Sequence, residues 1–249
     1  MVAKVPSMER ISTNSQVQRW CAWAGPVFVL MLFAGLLTAG FIPPPSPHQS
    51  AESLKQMFVG HQIRILVGML VGLLGTGFAG PFVGVIAVQL KRAEGPFAPL
   101  AYAQLLLGSM LPIALVVGMT LLMCAAYRTD RDAQTVQGFS DQAWFLIVGA
   151  FYMFVIQLGC IGVAVLKDES PDPVLPRWLG YLNIWCAIGS LPAAGVYFVE
   201  TGPLAWNGLL SFWLPALCFG AWGICTALML LRAIARQAVI SASVPVRSG

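Results

Sequence analysis

IRILVGMLVGLLGTGFAGPFVGVIAVQL, residues Ile63–Leu90, decides the class of fold. Past Arg64 at its start, the stretch holds no charged residue. A helix rises about 1.5 Å per residue, so about 20 mostly apolar residues cross a hydrocarbon core of about 30 Å. This stretch is long enough to span a bilayer. Five further stretches read the same way: Cys21–Ile42, Ala98–Tyr127, Ala143–Leu166, Trp178–Val199 and Asn207–Leu231. No short alternating segments of the outer-membrane barrel kind occur, so the spans are read as helices. The expected fold is all-α, a polytopic bundle of six transmembrane helices over residues 21–236. Tails at 1–20 and 237–249 flank it and leave no room for a soluble domain.

Composition agrees. Apolar residues make up 58% of the chain and charged residues 10%. A soluble domain has about 45–50% and about 25%. The net charge of +4 does not describe a nucleic-acid binder, because the basic residues form no continuous surface. Ten of the fourteen lie on one side of the spans: Lys4, Arg10, Arg19, Lys91, Arg92, Lys167, Arg177, Arg232, Arg236 and Arg247. The positive-inside rule then places both tails and the loops at 91–97 and 167–177 in the cytoplasm. The first span follows a basic lead, but its apolar run exceeds the roughly 7–15 residues of a signal-peptide core. It reads as an uncleaved anchor.

Trp23, Tyr102 and Tyr181 recur every 79 residues, each near the start of an odd-numbered span. Leu90-Lys91 and Leu166-Lys167 close the preceding spans alike, and Phe58 with Gly68 matches Phe139 with Gly149 at a shift of 81. Three tandem helical hairpins would produce this pattern, as would aromatic residues placed independently at the membrane interface. Between the first two spans, Pro43-Pro44-Pro45 precedes an amphipathic segment. Leu54, Met57, Phe58, His61 and Ile65 fall at helical spacing, with Ser50 as N-cap and Glu52 in the first turn. A short helix on the outer surface is expected there. Residues 128–142 read as a charged, polar loop.

The residues that carry chemistry elsewhere are scarce. Gly68/Gly72 and Gly80/Gly84 are small-x-x-x-small pairs that let helices approach closely. Around Gly77, Gly80 and Pro81 the helix either kinks or breaks, and a break would turn freed carbonyls toward a cavity. Gln104, Gln157, Asn183 and Gln89 sit inside the terminus-side halves of their spans. They line a polar cavity or else bond between helices. His48 and His61 match no metal-ligand spacing, and no axial haem ligand lies inside a span, so neither metal nor cofactor is expected. The six cysteines lie in or at the ends of spans with no C-x-x-C pair.

Pro176-Arg-Trp-Leu-Gly-Tyr-Leu-Asn183, then Thr201-Gly-Pro-Leu-Ala-Trp-Asn-Gly208, with the proline-rich Ile42–Pro47 ahead of them, resembles a group of six-span bacterial integral membrane proteins. That resemblance covers nearly the whole chain and implies the six-span fold without an activity. The leading expectation is a non-catalytic protein of a bacterial inner membrane, an accessory subunit or a binder of an apolar or weakly polar small molecule. A small permease for an uncharged solute is the alternative. The expected partners are the lipid bilayer, an apolar small molecule, and a membrane protein or second copy packed on the small face of span two.

Overall fold

The computed structural model describes residues 8–243, with side chains over 14–239. Among the described residues it is all-helical, without strands. Its helices are α1 (Met8–Ala39), α2 (Ala51–Gly60), α3 (Gln62–Thr76), α4 (Ala79–Glu94), α5 (Pro99–Tyr127), α6 (Ala133–Ile147), α7 (Phe151–Leu166), α8 (Arg177–Ser190) and α9 (Leu214–Ser243). A 3₁₀ segment, Leu191–Tyr197, continues α8, and a π-helical segment, Leu209–Trp213, opens α9. Among the described residues, six helical stretches are long and apolar enough to cross a membrane: Asn14–Ala39, Gln62–Glu94, Pro99–Tyr127, Ala133–Leu166, Arg177–Tyr197 and Leu209–Val239.

Each span packs on the next, and the sixth returns to the first, so the bundle closes as a ring. At the terminus end α4 also touches α7 and α9. There Phe82, Phe154 and Trp222, one from each even-numbered span, meet with ring centroids 5.5 Å (Phe82–Trp222) and 5.3 Å (Phe154–Trp222) apart. The bundle is therefore filled with aromatic rings on its axis at this level.

The ends of the elements depart from the sequence reading in definite ways. The tail at 1–20 is helical from Met8 onward, and α9 runs through 237–243; residues 1–7 and 244–249 lie outside the described residues. Residues 128–142 are not all loop. Asp132 accepts from the Thr135 amide at 2.9 Å and its hydroxyl at 2.6 Å, which starts α6 a residue later. Val136, Ser140, Ala143 and Trp144 then form its buried stripe. The helix expected after the proline run is present as α2, with the Ser50 hydroxyl accepting from Ser53 and Leu54 and Phe58 buried. His61 is exposed rather than on the packed stripe, and its ring bonds the Met57 carbonyl.

Side chains close the ends of the long α5. The Glu94 carboxylate accepts from the Leu100 and Ala101 amides at 3.1 and 2.7 Å. At the other end, Gln62 donates to the Ala126 carbonyl and Arg131 to that of Cys124. Both arrangements satisfy helix-end groups and match their charge to the helix dipole.

The glycines of span two divide into two sets. A side chain at Gly68 would run into the backbone of Gly35 and Ala39, and one at Gly72 would meet Met119 at 3.0 Å. Gly68 thus allows the close crossing of α1 and α3, and Gly72 leaves room for the Met119 side chain of α5. Gly77, Gly80 and Gly84 instead have space or only their own helix beside them; Gly77, Gly80 and Pro81 are exposed and Gly84 is half-buried.

Candidate functional site

Among the described residues, helical backbone is interrupted within four of the six spans. In span two, two tight turns (Gly77 to Leu74, Phe78 to Gly75) separate α3 from α4, and Pro81 lies in the first turn of the new helix. In span four, Val148-Gly149-Ala150 separates α6 from α7 without any proline. A side chain at Gly149 would collide with the Tyr197 hydroxyl and the Phe145 carbonyl, so glycine lets Tyr197 press against the chain. In span five, Pro192 has no amide to continue α8, and the backbone tightens to 3₁₀. In span six the π-helical turn precedes Pro215, whose missing amide breaks the ladder there.

Three of these four interruptions surround one cavity. It has a volume of about 110 Å³, is partly open, and lies between spans one, three, four, five and six. Ile147, Val148 and Phe151 flank the break in span four, and Ser190 ends α8. Ser211 and Phe212 come from the π turn, and Pro215 from the first turn of α9. Phe154 and Phe219 form the cavity floor toward the terminus end, their centroids 5.3 Å apart. Irregular backbone at membrane depth is tolerated where it is buried in protein or lines a cavity. This arrangement obeys that rule.

The two serines are fully buried. Ser190 donates to the Cys186 carbonyl at 2.8 Å; Ser211 lies 2.8 Å from the Leu204 carbonyl and 3.1 Å from that of Pro192. With each hydroxyl hydrogen held by backbone, the oxygens retain only acceptor capacity. The remaining lining is Leu, Phe, Ile, Val, Pro and Ala. The space itself is therefore apolar, since neither serine has surface open to it.

None of the four amides proposed from sequence lines this cavity. All are buried, but they separate into two groups. Gln89 belongs to a cluster nearer the terminus end. There its amide donates to Gln18 at 2.6 Å and Gln237 at 3.4 Å, and Arg92 donates to it at 2.5 Å. Gln104 donates to the Val83 carbonyl at 3.3 Å, Gln157 lies against Gly108, and Asn183 bonds Leu179 in its own helix. The break near Gly77–Pro81 does not line the cavity either, because that stretch faces outward.

Sequence reasoning named none of the residues that line this cavity, Ser190, Ser211 and Phe219 among them. Pro192 and Pro215 mark two of the interruptions and were the available signal. The serines themselves look like ordinary small helix residues until both are seen facing one space. No family model, curated protein or solved structure matches the chain, so the reading of this site rests on its own geometry.

Proposed function

We propose that the chain is a non-catalytic integral protein of a bacterial inner membrane that binds one small apolar or weakly polar molecule in this cavity. The observation that carries the reading is the convergence of three interrupted spans on one apolar space. Apolar cavities near 150 Å³ stay dry and bind benzene-sized ligands. At about 110 Å³ this one suits a single small ring or a short hydrocarbon chain. The bias of basic residues toward the terminus end supports cytoplasmic termini.

The tandem-hairpin reading has support of the same kind. Trp23, Tyr102 and Tyr181 are 54%, 53% and 56% exposed, and two residues after each come Gly25, Gln104 and Asn183, all buried. A partner docked on Gly68 and Gly72 is not part of this proposal, because the crossing of α1 and α3 and the Met119 side chain already occupy that face.

The test is titration of the detergent-solubilised protein with phenol and with toluene, monitored by calorimetry. Saturable binding of each at one site is expected. Ala216→Phe, which fills the cavity, abolishes both. Equal binding by wild type and Ala216→Phe would overturn the reading. Native mass spectrometry of protein extracted with its lipids then identifies the resident molecule.

A further inference from the structure

Beneath the cavity floor, four side chains from four helices are buried with an unsatisfied polar atom: Gln104 Oε1, Gln157 Nε2, Asn183 Oδ1 and Thr226 Oγ1. Each is at most 1% exposed. Their positions arise from helix periodicity. Gln104, Asn183 and Thr226 lie seven residues from the cavity-lining Leu111, Ser190 and Phe219 respectively, always toward the terminus end. Seven residues are about two turns, so each polar residue shares a face with its lining residue about 10 Å further along the bundle. Gln157 lies three residues past Phe154, one turn below the floor. The four helices thus direct a polar layer at the axis directly under the cavity.

Between cavity and layer lies an aromatic plug. Phe28, Phe219, Phe154, Trp222 and Phe82 pack edge to face in that order, with centroid distances of 5.3–5.5 Å between successive rings. The Trp222 indole N–H, within this plug, is also buried without a partner. Past the layer, the Gln89–Gln18–Gln237 cluster with Arg92 continues the polar character toward the terminus end. Phe82 and Gln89 are again seven residues apart on α4.

Helix packing alone does not account for this layer. A buried polar atom without a partner costs about 1–3 kcal/mol, and nearly all such groups in folded proteins are satisfied. Four in one layer, two amide carbonyl acceptors, one amide donor and one hydroxyl that does both, match a molecule that both donates and accepts hydrogen bonds. A charged solute would find no counter-charge among these four side chains, so the matching class is small and uncharged. We propose that the layer is the selective part of a path through the bundle for a small uncharged hydrogen-bonding solute, and that Phe154, Phe219 and Trp222 gate it from the cavity. The inference stands on the polar layer and not on the apolar ligand proposed above.

The experiment uses the full-length protein in liposomes and stopped-flow light scattering. Re-swelling in glycerol or urea gradients reports solute entry, and shrinkage in sucrose reports water efflux. Wild-type vesicles are expected to exceed protein-free vesicles in at least one assay, and Phe219→Ala to be faster still. Thr226→Val, nearly isosteric, removes one hydrogen bond to the passing molecule and slows the same flux about ten-fold. It leaves phenol binding in the cavity intact, which separates failure of this path from failure of the cavity reading. Gln157→Leu provides a second loss variant, and unchanged elution as a monodisperse species establishes that each variant is folded. Acceleration confined to shrinkage supports the path and identifies water as what it carries. Protein-free rates for both wild type and Phe219→Ala overturn the proposal, as does a Thr226→Val flux equal to wild type.

Discussion

Spans two and four are both interrupted, yet the interruptions have opposite surroundings. The first has the composition a reader would choose for a site, with Gly77, Gly80, Pro81 and Gly84 in eight residues, and it faces outward away from the cavity. The second, Val148-Gly149-Ala150, has one glycine and no proline, and it helps line the cavity. Glycine and proline content reports where a helix is weak. It does not report which way the weak point faces. A cavity forms only where interruptions of several helices coincide in depth and point at one another, as those of spans four, five and six do.

The sharpest way to break this comparison is to substitute within span two. Gly68→Leu drives a side chain into the backbone of α1, which cannot yield as a side chain can. A loss of about 3 kcal/mol or more is expected, enough to eliminate the monodisperse species in size-exclusion chromatography. Gly80→Leu enters open space and is expected to change stability by less than about 0.5 kcal/mol. Comparable damage from both would show that the outward face is also packed against something.

Next in size is the hydroxyl that ties the interrupted ends of spans five and six together. Ser211→Ala removes the contact to the Pro192 and Leu204 carbonyls. The expected cost is about 1–3 kcal/mol, read as a lower midpoint in a thermal melt. Pro81→Ala should leave phenol binding unaltered, since its side chain is outside the cavity lining. A binding defect in Pro81→Ala would link the two interruptions and dissolve the contrast.

Smaller effects come from the loops that hold the spans in register. Asp132→Ala removes the cap that starts α6 and is expected to lower stability by about 1 kcal/mol in the same melt. On the terminus side, burial opposes ionisation of Asp168. The Ser170 hydroxyl and the Val174 and Ser170 amides outweigh this and hold its carboxyl below the usual carboxylate value. A depressed folded pKa means that its contribution is complete above the unfolded value, about 3.9, and disappears as pH falls through the folded one. The melting midpoint of wild type should therefore fall below about pH 4, and Asp168→Asn should flatten part of that fall.

Six apolar helices, their order and most of their limits were legible along the chain, because hydrophobic length is a local property that each segment carries alone. The N-cap at Ser50 was legible for the same reason, whereas the first ten residues of α6, 133–142, were read as loop because Gln134, Gln137 and Gln142 mask the apolar positions beside them. That the amides would be buried was readable from their place within apolar runs. Their division was not. Gln89 joins Gln18 and Gln237 because α1, α4 and α9 meet there, while Gln104, Gln157, Asn183 and Thr226 share a level because helices of opposite direction lie side by side. A helix's rotation about its own axis depends on its neighbours. Which glycines cross, which serines face a cavity and which amides share a layer are consequences of those rotations, and a single strand of sequence does not contain them.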